Sequence, residues 1–377
     1  MRIPNCKSVI DYERLNYQEA NPVRDNGRID HSFRLFNSHF YLFQLLWCTF
    51  VSNSFSMIVI TGAAGFIGSC IAGTLNNKGI NNLVLVDDFS KTEKASNLDG
   101  KLFVAMIQRN DFDQWMKEFG AEVTCVLHIG ARTDTTEFDK AIFDELNVEY
   151  SKMVWKHCVQ FNIPLVYASS AATYGLGEFG YDDNESNMPL LQPLNPYGWS
   201  KQWFDMWALE QTETPPHWYG LKFFNVYGPN EYHKSRMASV IFHTFNQVKE
   251  HGAMKLFRSH NPNYTDGGQM RDFVYVKDVV SVIEFLMKGT AKSGIYNLGS
   301  GEARTFLDLA TNTFEALGKE AQISFIDTPE DIRDKYQYFT EANMQKLIAQ
   351  GYDVPFHTLE EGIADYVKNY LAEDKYI

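Results

Sequence analysis

The sequence predicts an α/β protein built on a doubly wound parallel sheet, with a smaller discontinuous domain toward the C-terminus. Two observations carry that class. From Met57 onward, short apolar runs rich in β-branched residues alternate with segments of helical period, the pattern of buried parallel strands joined by crossover helices. Glycines spaced three apart follow the first of those runs directly. No internal repeat or low-complexity tract points to another architecture.

Composition permits this class and narrows the partners. A chain of 377 residues, 45% hydrophobic and 21% charged, can bury a sizeable core in one large domain or two joined ones. A net charge of −13 argues against nucleic acid, whose phosphates need clustered Lys and Arg. The five cysteines, Cys6, Cys48, Cys70, Cys125 and Cys158, are scattered and never form C-x-x-C. They read as reduced thiols of a cytoplasmic protein. The ten histidines show no metal spacing, and no metal is expected.

Taken in order, residues 1–56 come first. Their apolar run Phe40–Val51, "FYLFQLLWCTFV", is interrupted by Gln44. It is short for a bilayer span, and it lies too far from the terminus, without an A-x-A site, for a secretory signal. The segment reads as a poorly structured extension, upstream of a start at Met57; a membrane or partner anchor is the other reading. No membrane insertion is expected.

Ile58–Thr61 is the first strand. Gly62, Gly65 and Gly68 then form a G-x-x-G-x-x-G turn, and Ile67, Ile71 and Leu75 recur at helical spacing. Strand, glycine turn and helix in that order let backbone N–H groups approach a pyrophosphate, with the helix N-terminus facing it. This is the Rossmann arrangement for a dinucleotide. The second strand, Leu83–Val86, leads to Asp87, nineteen residues beyond Gly68, where an acid takes the adenosine ribose hydroxyls and points to NAD. Lys91, Lys94 and Arg109 downstream can neutralise a 2′-phosphate, so composition leaves NAD and NADP open. Further units follow: a strand at Thr124–Ala131, a helix at Asn147–Phe161, and "PLVYASSAATYG" from Pro164. Ala131 and Ser170 fall at strand ends, where such sheets bind ligands.

"NPYGWSK" places Tyr197 and Lys201 four apart, on one face of a helix. A nearby ammonium, with an oxidised nicotinamide, favours the phenolate and lets the tyrosine act as a base. The plain alternative is a solvated Tyr–Lys pair. Ser169, Ser170 and Thr173 supply hydroxyls beside it.

The motifs "TGAAGFIG", "YASSAATYG", "NPYGWSK", "FFNVYGP" and "RDFVYVKDV" together resemble the extended short-chain dehydrogenase/reductase superfamily, from Met57 to the end. A 4,6-dehydratase would carry an acidic pair where Tyr174 and Gly175 follow Thr173. Within the superfamily, "FFNVYGPNEYHKSRMASVIFH", "HIGARTDTTEFD" and "YQYFTEANM" resemble the ADP-L-glycero-D-manno-heptose 6-epimerase family. That resemblance implies NADP, a second catalytic base at Lys234 beside Tyr197, Lys201 on the cofactor ribose, and Ser170 on the reacting oxygen. It places Phe66 and Ile67 at the pyrophosphate and Asp87, Asp88, Lys94 and Arg109 at the adenosine end. Ile129, Gly130, Ala131, Arg132, Thr133, Asn147, Val226, Lys201 and Lys234 are implied along the rest of the cofactor groove.

For the sugar nucleotide it implies Asn225, Arg236, His243, Phe257, Arg271 and Tyr336. Arg271 suits a diphosphate through its bidentate guanidinium, with a salt bridge as the plainer reading. The domains implied are 57–225 plus about 272–301 for the cofactor, and 226–271 plus 302–377 for the substrate. A homopentamer supplying heptose to the lipopolysaccharide core is implied as well. Two features depart from the family: Ser235-Arg236 stand where Gly-Ser is usual, and the loop Arg258–Met270 is longer. The rival readings are a UDP-hexose 4-epimerase, or another sugar-nucleotide-modifying member, and a non-catalytic NADP-binding regulator.

Overall fold

In the computed structural model, residues 56–135, 137–333 and 337–377 are described. The readings made for residues 1–55 and for Tyr336 lie outside them. Met57–Thr61 (β1) has no polar face, because strands pair with it on both edges and helices pack over the sheet. The same holds for β2 (Leu83–Asp87), fully buried along its length. β3 (Ala105–Gln108) alternates intermediate and exposed residues. β4 (Val123–His128), β5 (Leu165–Ser170) and β6 (Trp218–Phe223) complete the run before the chain leaves the sheet. It then forms β7 (Asn225–Tyr227), β8 (Met254–Phe257) and β9 (Met270–Tyr275), returns as β10 (Gly294–Leu298), and ends with β11 (Ala303–Thr305) and β12 (Ile323–Ile326).

The main sheet has seven strands in the order β3-β2-β1-β4-β5-β6-β10, every pair parallel. This is the doubly wound α/β fold expected, and the stretch Ser293–Gly301 supplies its last strand. Strand order reverses between β1 and β4, so a crevice opens outside their carboxyl ends. Three strands, β11-β9-β7, and a parallel pair, β12-β8, form two smaller sheets. Residues Phe55–Ile377 make one compact unit. Its main core runs through the seven-stranded sheet, and a satellite core of Val248, Met254, Leu256, Ala310 and Phe314 lies under β8 and β12.

The helices of eight residues or more are α1 (Phe66–Asn77), α2 (Phe112–Phe119), α3 (Tyr150–Gln160), α4 (Pro196–Leu209), α5 (Val240–His251), α6 (Val276–Leu286), α7 (Phe306–Ala316) and α8 (Leu359–Tyr366). A wider, π-type turn, Asp144–Glu149, leads into α3. α4 starts where its sequence says: Asn195 accepts from the Gly198 N–H at 2.9 Å and Pro196 occupies the first turn. That cap fixes the frame in which Tyr197 and Lys201 share a face.

Candidate active site

Gly62 has φ +67, and a Cβ there would lie 2.6 Å from the Cα of Gly130. At Gly68 a Cβ would stand 2.2 Å from the Gly62 carbonyl oxygen. Only glycine lets α1 start this close to β1, leaving its first N–H groups open to an anion. Around this turn lies a cavity of about 510 Å³. Gly62, Gly65, Phe66, Ile67 and Gly68 line one wall, and Ile129, Gly130, Ala131, Arg132 and Thr133 the facing one. Asp87, Asp88, Lys91, Lys94 and Arg109 close the far end, and Lys234 enters from a separate segment.

At the far end, one Asp87 oxygen accepts from the Ala64 N–H at 2.9 Å, the other from the Asp88 N–H at 2.7 Å and from Lys94 at 3.1 Å. Its charge is already met by the protein. Arg109 Nε is buried and has no hydrogen-bond partner among the described residues. Lys91 and Arg109 share this wall with Asp88 and Glu93.

Lys234 belongs to the segment Tyr232–Met237, two short 3-10 turns joined across a kink at Ser235. Its ammonium lies 5.3 Å from the centre of the Phe66 ring. Burial lowers its pKa, and the carboxylate of Glu231 opposes that shift. Glu231 is itself 0% exposed, accepting from Ser239 N–H and Oγ, each at 2.6 Å. Ser235 has φ +49 and ψ −131, a conformation glycine adopts at less cost than serine.

The Tyr197 centre is built on β5 and α4. Lys201 is buried and donates to the Ala168 carbonyl at 2.7 Å. Burial brings its pKa down to about 8, with Asp205 pulling the other way. Tyr197 is hydrogen-bonded to Ser170, which favours its ionisation, yet burial outweighs this and raises the phenol above its ordinary range. In the protein by itself the desolvated phenolate costs more than the hydrogen bond returns; the lowered tyrosine expected here drew on the nicotinamide charge as well as Lys201. Beneath lies a fully buried ion pair, Asp205–Lys222 at 3.0 Å. Asp205 also accepts from Ser169 Oγ at 2.6 Å and Tyr167 at 3.1 Å, and Lys222 donates to Thr173 at 2.6 Å.

Tyr197, Lys201, Ser170, Asn147 and Val226 stand outside the cavity lining. Val226 lies half-buried on β7, opposite Val274. Asn147 is buried and grips the main chain of Arg132, a cavity residue, from behind: its Oδ1 accepts from the Arg132 N–H at 2.8 Å and its Nδ2 donates to the carbonyl at 2.9 Å. Of the expected substrate residues, Arg236 and His243 are neighbours, with the ring nitrogen 3.4 Å from the Arg236 carbonyl. Phe257 ends β8, and its carbonyl accepts from Gln269 at 3.4 Å, two residues before Arg271. Arg271 donates to the carbonyls of Met270 (2.8 Å) and Gln337, and its guanidinium lies 5.6 Å from the Phe306 ring centre. Asp272 turns instead to the N–H groups of Ser300, Gly301 and Ala342. Asn225 is exposed at the start of β7.

Sequence reading missed Tyr150, His233 and Met237, which line the same cavity. His233 sits beside Lys234 in sequence, the one available signal. Burial with Lys94 and Lys234 nearby keeps its imidazole neutral down to about pH 4. Buried Asn97 had no signal at all: its amide donates to the Ala64 carbonyl at 2.9 Å and the Asn230 carbonyl at 3.1 Å, joining the glycine turn to the Lys234 segment.

A doubly wound sheet, a glycine-walled crevice and a capped Tyr–Lys helix define a class of nicotinamide-dependent α/β enzymes. The family model "NAD dependent epimerase/dehydratase family" matches residues 58–299, and the chain belongs to that family. Its relatives narrow the class. The chain is 48% identical over 332 residues to the ADP-L-glycero-D-manno-heptose-6-epimerase of Fusobacterium nucleatum, covering 85% of this chain and 100% of that protein. It is 46% identical over 318 residues to the enzyme of the same name from Nitratidesulfovibrio vulgaris, covering 84% and 98%. Among solved structures, the Helicobacter pylori ADP-L-glycero-D-manno-heptose-6-epimerase matches with a TM-score of 0.71 at 27% identity, over 85% of this chain and 99% of that one. The Thermus thermophilus UDP-glucose 4-epimerase, solved in complex with NAD, matches at 0.66 and 26%, over 84% and 99%. No described helix is long and apolar enough to cross a membrane.

Proposed function

We propose that the protein inverts C6 of ADP-D-glycero-β-D-manno-heptose to give ADP-L-glycero-β-D-manno-heptose, using a tightly held NADP. The observation that carries this reading is the placing of Lys234 in the wall of the same crevice as the glycine turn. A 4-epimerase on this fold has no catalytic need for it. The relatives at 46–48% identity support the heptose over the UDP-hexoses, and the Tyr197–Lys201 pair speaks against a non-catalytic regulator. Asp87, already met by protein donors, and the cations Lys91 and Arg109 on the same wall support NADP over NAD.

The hydrogen at C6 lies beside an alcohol, so it is not acidic enough to leave as a proton. When bound, the nicotinamide supplies transient oxidation at C6 and the reverse reduction. Tyr197 handles the C6 hydroxyl proton for one epimer and Lys234 for the other, after the 6-keto intermediate turns over in the pocket. Ser170 holds the reacting oxygen, and Lys201 orients the cofactor ribose. The 226–271 and 302–377 segments hold the ADP-sugar, with Arg271 toward the diphosphate; 57–225 and about 272–301 hold the cofactor. The decisive experiment is proton NMR of the purified protein with this substrate and no added cofactor. Appearance of the L-glycero epimer supports the assignment; interconversion of UDP-glucose and UDP-galactose instead would overturn it.

A further inference from the structure

Behind the crevice, five buried side chains form a hydrogen-bonded chain in which every proton has a determined place: Thr61, His128, Ser151, Asn147 and Ser200. Thr61 ends β1 and His128 ends β4, and the parallel register sets them side by side. The Gly130 N–H donates to Thr61 Oγ1 at 3.2 Å. At the other end, Ser200 Oγ donates to the Tyr197 carbonyl at 2.7 Å and accepts from Asn147 Nδ2 at 2.9 Å. Ser151 Oγ gives its only hydrogen to the Asn147 carbonyl at 2.5 Å. Its oxygen must therefore accept from His128 Nε2, 2.9 Å away. A second proton on Nδ1 would make a cation in a buried place that already feels the Lys201 charge, and burial holds the imidazole neutral down to about pH 3. Nδ1 accordingly accepts from Thr61 Oγ1 at 2.7 Å.

We propose that His128 is a positioning residue: fixed as the neutral Nε2–H tautomer, it ties the crevice-lining segment Gly130–Arg132 to the helix that carries Tyr197. This rests on the reading that the crevice holds the cofactor. Both ends of the chain are main-chain groups, so it cannot pass a proton to the tyrosine hydroxyl. What it transmits is position. Thr61 sets the Gly130 wall against the glycine turn, and Asn147 holds Arg132 and Ser200 with one amide. A shift of that wall is thereby a shift of the first turn of α4. Besides Lys201, the titratable neighbour of the ring is Tyr150, with ring centres 5.8 Å apart.

Two measurements test it. Long-range proton–nitrogen NMR of histidine-labelled holoprotein should show one imidazole protonated on Nε2 only, unchanged across the neutral range and missing in His128→Asn. An Nδ1–H signal, or an imidazolium titrating near neutral pH, overturns the proposal. This readout is independent of which substrate is turned over. Thr61→Val and Ser200→Ala should each lower kcat about threefold to tenfold, with the sugar KM unchanged. Thr61→Val should also weaken NADPH binding by a similar factor. Because both cut the same connection, the double variant should lose little more than the worse single one. Multiplying losses would overturn the coupling. If the wild-type protein binds neither NADPH nor NADH, the cofactor reading falls, while the tautomer result stands apart from it.

Discussion

Lys201 is buried and Lys234 half-buried in the crevice wall, each with an acid close by, Asp205 for one and Glu231 for the other, and desolvation lowers the pKa of both. Their scaffolds differ. Lys201 rides on a 14-residue helix, locked by an N-cap and by a hydrogen bond to the Ala168 carbonyl. Lys234 sits just before a kink at Ser235, where φ is positive and two short 3-10 turns meet. Distant groups hold that turn: Ser69 accepts from Asn230 at 2.9 Å, and the Tyr232 hydroxyl donates to the Lys375 carbonyl at 2.8 Å. A helix places a cation from local spacing; a turn places one only when the rest of the fold agrees.

The largest test of that contrast is removal of the groups themselves. Tyr197→Phe and Lys234→Ala should each cost about 10²–10⁴-fold in turnover, read by proton NMR of epimer formation. Tyr197→Phe should keep its bound cofactor, measured by absorbance after denaturation. Full activity in Lys234→Ala would return that lysine to a structural role and break the comparison.

Next comes pH. The Lys201 ammonium is lost above about 8, so a rate that needs the charge should fall on the alkaline side of that value. Lys201→Arg keeps its charge, and whatever rate survives should lack this alkaline limb. Thermal melts give the matching sign. Between about 8 and the ordinary 10.5, the unfolded chain binds this proton and the folded one does not. This group's contribution to stability should therefore increase with pH across that window.

Smaller effects separate the scaffolds. Glu231→Gln exchanges a buried, doubly hydrogen-bonded carboxylate for an amide that cannot accept from Ser239 N–H and Oγ at once in the same way. A loss of about 1–3 kcal/mol is expected in denaturant titration, together with a further fall in the Lys234 pKa. Ser235→Gly should act in the opposite direction, gaining about 1 kcal/mol by relieving the positive φ. A destabilised Ser235→Gly protein would show that the serine side chain, not the backbone, holds the turn.

Much of the fold was legible because its signals are local. The β-branched run before Gly62, the three-residue glycine spacing and the Asn195-Pro196 helix start each state a backbone conformation within a few residues. Part of the crevice lining was legible in the same way: Gly62, Gly65, Gly68, Asp87 and Ala131 follow strand ends in a fold whose ligand side is known, whereas Phe66, Ile67, Asp88 and the rest of Ile129 to Thr133 came through resemblance. Lys234 came through resemblance too, since nothing in "EYHKSRMAS" states that it faces the crevice. Asn97 and His128 were illegible. Their partners lie as far as 133 residues away, and an asparagine or histidine carries no period that reveals such a contact.

The sequence by itself determined the strands, the crossover helices and the residues that end them, because alternation, capping and glycine placement act over a turn or two of chain. The tertiary structure alone decided which of those ends meet. It set the charge balance of Lys201 and Lys234 by placing them beside the buried acids Asp205 and Glu231. It also aimed Asn147 at the Arg132 main chain and fixed the proton on His128. Those outcomes depend on desolvation and on hydrogen bonds between distant strands, and both exist only once the chain has closed around them.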